Sequence, residues 1–106
     1  MATTPENKVK RQIKDWLKQE NIFYWSNAAG PYSVHGIPDI MAVRNGLLLG
    51  IEVKSPGKIK AATPHQKRFI AQLRAAGGIA RVVDTLSQVQ EMVEDADTTR
   101  EECGCP

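Results

Sequence analysis

Cysteine is scarce in this chain. Only Cys103 and Cys105 occur in 106 residues, both in a short Cys-Gly-Cys tail. Two ligands are too few for a structural zinc site within one chain, and no disulfide framework is indicated. They read as free thiols on a frayed end, with interchain bridging or a shared metal as the alternative. Long apolar runs are missing too. No stretch approaches the roughly 20 residues that a membrane helix needs, and the first residues lack the apolar core of a signal peptide. A soluble, cytoplasmic protein is therefore expected. Internal repeats and an interdomain linker are also lacking, so a single small domain is expected. The composition, 42% hydrophobic and 25% charged, is that of an ordinary globular chain.

Charge is present but unevenly spread. Residues 91–102 hold six acids and one arginine, which leaves thirteen Lys or Arg against six Asp or Glu elsewhere. The basic body suits a polyanionic partner, although many surface lysines are merely solvated. Beyond Asp95 the chain is acidic and polar, so 1–95 is expected to be the folded domain and 96–106 a disordered tail.

The most informative stretch runs from Gly36 to Lys54, GIPDIMAVRNGLLLGIEVK. Asn45-Gly46 between two apolar runs predicts a hairpin with a two-residue type I′ turn. Its register pairs residues whose numbers sum to 91: Arg44 with Leu47, Ala42 with Leu49, and Asp39 with Glu52. Opposed carboxylates on neighbouring strands repel, since directly paired Cβ atoms lie roughly 4.5–5.5 Å apart. Lys54, two residues past Glu52, points to the same face. Two acids and an amine on one patch of apolar sheet suggest a hard divalent cation such as Mg²⁺. Such a cation relieves the repulsion, polarises a phosphoryl oxygen and acidifies water, and the lysine stabilises developing negative charge. The plainer alternative is an interstrand salt bridge from Lys54 to either acid.

Pro38-Asp39, twelve intervening residues and Glu52-Val53-Lys54 resemble the PD-(D/E)XK nuclease signature. GIPD followed by IEVK, with Gln66 on the next helix, is similar to the VRR-NUC branch of that superfamily. The resemblance spans roughly residues 6 to 90. It implies an α/β fold with a restriction-endonuclease-like αβββαβα core, a mixed central sheet flanked by helices. It implies a Mg²⁺-dependent endonuclease, with Mn²⁺ as a substitute. Asp39 and Glu52 would bind metal, the Val53 carbonyl would add a ligand, Lys54 would be the catalytic lysine and Gln66 would support it. Stand-alone members of the branch are associated with homodimers acting on branched DNA, including Holliday junctions. Flaps and linear duplex are alternative substrates, and a non-cleaving binding module is the alternative function. No helix-turn-helix or zinc finger that would read base sequence is recognisable.

The remaining segments fit around this hairpin. Residues 4–20 predict an amphipathic helix with Val9, Ile13, Trp16 and Leu17 on one face. Lys8, Lys10, Arg11, Lys14 and Lys18 occupy much of the remainder, either as a solvated face or as a phosphate-contacting one. Glu6 is either the helix-1 acid that completes the metal site in related nucleases or part of a Thr3-x-x-Glu6 capping box. Ile22–Trp25 predicts a strand. The turn-rich loop 26–36 that follows leads into Asp39, and Tyr32 and His35 in it are candidate DNA contacts or simply solvent-exposed. Leu47–Val53, almost continuously apolar, predicts a central strand. Lys58 and Lys60 lie in the loop beyond it and Lys67 on the next helix, all three candidates for phosphate contact. Thr63-Pro64-His65-Gln66 opens that helix, and Gln66 reads either as a site residue or as a capping-box residue. Gly77-Gly78 ends it. Ile79–Val83 predicts a strand parallel to an earlier one, and Leu86, Val89, Gln90 and Val93 predict a closing helix.

Overall fold

In a computed structural model, residues 3–27 and 36–103 of the chain are described, the last four as backbone only. The elements follow the order α1 (Pro5–Gln19), β1 (Phe23–Ser26), β2 (Ile40–Arg44), β3 (Leu47–Val53), α2 (Pro64–Ala75), β4 (Ile79–Val83) and α3 (Leu86–Cys103), with a short 3-10 turn at Ile59–Ala61. The four strands form one sheet in the order β1-β2-β3-β4. The first three are mutually antiparallel, and β4 joins β3 in parallel after the α2 crossover. This is an α/β architecture with a mixed sheet.

The hairpin has the expected register, with Arg44 opposite Leu47 and Ala42 opposite Leu49. Both turn residues take positive φ, Asn45 at 54° and Gly46 at 80°, as a type I′ turn demands. Alternation along the strands then sorts side chains between two faces. Ile40, Ala42, Leu49, Ile51, Val53 and Val83 join Val9, Ile13 and Leu17 of α1 and Val89, Met92, Val93 and Ala96 of α3 in one buried cluster. On the opposite face α2 closes down on β3. A Cβ added to Gly50 would lie 2.9 Å from Leu73 and 3.5 Å from the Ala80 side chain. Glu52, two residues along β3 from Gly50, belongs to this second face. Helix α2 packs on β3 and β4, while on edge strand β1 Phe23 stays 70% exposed, its ring 5.8 Å from that of Trp25.

Two expectations are corrected here. The cap of α1 is Thr4, whose hydroxyl accepts from the Asn7 N–H, so the Thr3–Glu6 box does not form. Nor does order end at Asp95: α3 runs on to Cys103. Composition concealed the reason. Ala96 is fully buried against the sheet, and Asp97 accepts from Arg44 Nε at 2.9 Å and Nη2 at 3.3 Å, with Asn45 as a third donor. The hairpin turn thus clips the last third of the helix, and Arg44 and Asn45 hold the Asp97 carboxyl below its usual pKa.

Arg44→Ala is expected to cost about 0.5–1 kcal/mol, since both partners are partly exposed, and to raise amide exchange selectively beyond Asp95. Asp97 has a lowered folded pKa. Its contribution is therefore fully present above its unfolded value near 3.8 and fades as pH falls below it. Loss of the Arg44→Ala effect in acid would verify the assignment; an unchanged exchange pattern in residues 96–99 would count against it.

Candidate active site

Three local features bring the chain to Asp39. Gly36 has φ +85°, and a Cβ there would lie 2.3 Å from the His65 carbonyl oxygen, so only glycine lets the strand approach press against the first turn of α2. Pro38 is fully buried. Asn27, just past β1, donates its side-chain amide to the Pro38 carbonyl at 2.9 Å and its backbone N–H to the Asp39 carbonyl at 2.8 Å.

Asp39 itself stops short of the expected pairing. The β2–β3 ladder ends at Ile40 opposite Ile51. Pro38 has no N–H to extend it, and its carbonyl is occupied by Asn27. The Asp39 carboxylate takes over instead: Oδ2 accepts from the Val53 N–H at 2.9 Å. The Val53 N–H thus secures Asp39, while the Val53 carbonyl, which the family resemblance assigns to the metal, is a separate group of the same residue.

Glu52 is the centre of the cluster. It is 3% exposed. Its Oε2 lies 3.6 Å from Lys54 Nζ, whereas its Oε1 is buried without a hydrogen-bond partner among the described residues. Burial above all, then the neighbouring Asp39 carboxylate, push the Glu52 pKa up to about 8, against the opposing pull of Lys54 and Lys10. Lys54 is fixed through its backbone, which donates to the Val83 carbonyl at 2.8 Å.

Lys10, which the sequence places on a basic helix face open to solvent or to phosphate, completes the group. Its Nζ lies 3.5 Å from Asp39 Oδ1 and 3.2 Å from Glu6 Oε2. Burial opposes its charge, but Asp39 and Glu6 outweigh that penalty and raise its pKa. The only signal in the sequence was the four-residue spacing of Glu6 and Lys10 on one helix face. Glu6 thus reaches the site through Lys10. For Asn27 there was no signal, because its partners lie eleven and twelve residues away in sequence.

The other candidates separate into groups. Gln66 forms the capping box: its Oε1 accepts from the Thr63 N–H at 2.8 Å, and its own N–H donates to the Thr63 hydroxyl at 3.2 Å. It remains beside the site approach, since the Gly36 position lies against its backbone nitrogen. Lys58, Lys60 and Lys67 are exposed. The loop carrying Lys58 is pinned by the Gly57 N–H donating to Asp84 Oδ2 at 2.8 Å. Tyr32 and His35 lie outside the described residues.

Among the described residues, no group of three or more His, Cys, Asp or Glu side chains is arranged to hold a metal ion. The paired Asp39 and Glu52 fit a different kind of site. Mg²⁺ keeps several waters and is commonly held by one or two carboxylates. A buried carboxylate oxygen with no donor is the atom such a cation would satisfy. No helix among the described residues is long and apolar enough to cross a membrane. No protein-family model matches the chain, and no curated protein matches it.

Two outcomes test this geometry. Gly36→Ala meets both a positive φ and a backbone clash, and is expected to cost on the order of 2–4 kcal/mol in denaturant unfolding. Glu52 has a raised folded pKa, so the folded chain retains a proton that the unfolded chain has released. In the metal-free protein the Glu52 contribution to stability should therefore be fully present below about pH 4.5 and fade as pH rises to about 8. Glu52→Gln should flatten that decline, melting above the native protein at pH 8 by on the order of 2 kcal/mol and converging with it near pH 4. Parallel pH profiles for the two proteins would contradict the raised pKa.

Proposed function

We propose that this chain is a Mg²⁺-dependent endonuclease of the PD-(D/E)XK type, in the VRR-NUC branch, that hydrolyses phosphodiester bonds of branched DNA as a homodimer. The observation that carries this reading is Glu52: a buried carboxylate with an unsatisfied oxygen, set beside Asp39, with the Lys54 ammonium 3.6 Å away. A structural ion pair would not require the second acid. The order αβββαβα and the Pro38-Asp39…Glu52-Val53-Lys54 spacing at neighbouring ends of β2 and β3 support it further.

Asp39 and Glu52 would hold the divalent cation, which would supply Lewis acidity toward the phosphoryl oxygen and lower the pKa of water. The protein supplies orientation. The Val53 N–H fixes one oxygen of Asp39, leaving the other to face the site. Glu52 is locked by its place on a strand paired on both sides. Lys54 contributes a positive charge that orients the attacking water or offsets charge on the phosphate as it becomes five-coordinate. One chain presents one such cluster, so symmetric cutting of two strands calls for two copies, most simply related by a two-fold axis.

Lys10 favours a second reading, a nucleic-acid-binding module that does not cut, because its ammonium already neutralises part of the acidic cluster. Cleavage separates the two. Labelled four-way junction, flap and linear duplex are incubated with the protein in Mg²⁺, alongside Asp39→Ala and Lys54→Ala. The nuclease reading expects junction cutting that falls at least about 10²–10³-fold in each variant. Equal cutting of all three substrates keeps the nuclease and removes the preference for branches. Binding to the junction without cleavage moves the non-cleaving module ahead.

A further inference from the structure

Lys10 belongs to two places. On one side its ammonium sits between Asp39 and Glu6. On the other its side chain lines an open groove of about 550 Å³ between α1 and β1, together with Arg11, Lys14, Lys18 and Tyr24. Lys10, Lys14 and Lys18 recur every four residues, which spaces their attachment points by about 6 Å along the helix. Asp15 is the single acid among the groove's described lining residues. The groove is thus a cationic track that runs on past Lys10 to Asn7 and Thr3, and Lys10 is the residue it shares with the carboxylate cluster.

The charge of Lys10 has a physical reason. The Asp39 carboxylate, beside Glu52 in a desolvated site, needs a compensating cation when no metal is bound. Lys10 provides it from α1 through a flexible four-carbon stem, at distances of 3.2 and 3.5 Å rather than through a bidentate lock. A divalent cation on Asp39 would meet the ammonium at close range and repel it. The stem already lies along the groove wall, so the displaced ammonium has a short path toward Lys14.

We propose that Lys10 is the exchangeable counter-ion of the metal-free site: a divalent cation displaces its ammonium from Asp39 into the α1–β1 groove, where it joins Arg11, Lys14 and Lys18 in binding the phosphate backbone of a nucleic acid. The inference rests on the nuclease reading of Asp39 and Glu52 and adds to it a binding track and a positioning residue. It has a thermodynamic consequence. Metal binding places one more cation in the groove, and a polyanion in the groove draws Lys10 away from Asp39, so each ligand strengthens the other by the same factor.

Calorimetry with Mn²⁺ alone, and fluorescence anisotropy of a labelled duplex with and without Mn²⁺, test it on the full chain. Lys10→Met keeps the stem and removes the charge; Lys10→Arg keeps the charge. Lys10→Met should bind Mn²⁺ about tenfold more tightly than the native protein, and Lys10→Arg no more tightly. Mn²⁺ should strengthen duplex binding several-fold in the native protein and not in Lys10→Met. Lys18→Glu, two helical turns from Lys10, should weaken duplex binding while leaving Mn²⁺ affinity unchanged. Should Lys10→Met bind Mn²⁺ no better than native while Asp39→Ala abolishes binding, the counter-ion proposal falls and the metal site stands. Absence of Mn²⁺ binding in native and Lys10→Met alike would overturn both.

Discussion

A carboxylate held inside a protein sheet constrains everything near it. Glu52 is flanked along β3 by Ile51 and Val53, both fully buried, and its strand is hydrogen-bonded on both sides. Water cannot solvate it, so its charge must be met by protons, by lysines or by a cation. Lys54 reaches one oxygen and nothing among the described residues reaches the other. The strand cannot relieve the problem by slipping. A one-residue shift would carry Glu52 into the cluster between the sheet and α1–α3, and would expel Ile51 and Val53 from it. The apolar pattern of β3 therefore determines the position of the charge.

Around that point the charges alternate. Glu6 and Asp39 hold Lys10 between them, the Val53 N–H holds the far oxygen of Asp39, and Lys54 faces Glu52. Four elements contribute: α1, the strand approach before β2, β3 and the segment after it. Rigidity comes from backbone contacts rather than from the charges. Asn27 clamps two successive carbonyls, Gly36 rests on the His65 carbonyl and Lys54 is tied to Val83. Lys10 reaches the cluster from α1 by its ammonium, at the end of a flexible stem.

The last helix shows how composition can mislead. Six acids in residues 91–102 resemble a solvated tail. Yet Val89, Met92, Val93 and Ala96 keep helical spacing and are buried, while Glu91, Glu94 and Asp95 are exposed. Averaging over the segment hid an amphipathic face. Asp97 then found Arg44 and Asn45 at the hairpin turn, fifty-three and fifty-two residues away in sequence.

What the sequence determined by itself was local. Turn chemistry at Asn45-Gly46 set the hairpin and its register, alternation placed Glu52 and Lys54 on one face, and the Thr63-Pro64 and Gly77-Gly78 punctuation bounded α2. Each depends on dihedral preferences or on a period of two or 3.6, which a short window carries in full. Gln66 stood between two local roles, and in the structure it serves as the cap. Tertiary structure decided the rest: that Asp39 leaves the ladder to bind the Val53 N–H, that Asn27 secures its approach, and that Lys10 enters the acidic cluster. Those contacts join residues eleven to twenty-nine positions apart. Their partners are chosen by how α1 and the strand ends dock around one buried sheet, a choice that no short-range pattern encodes.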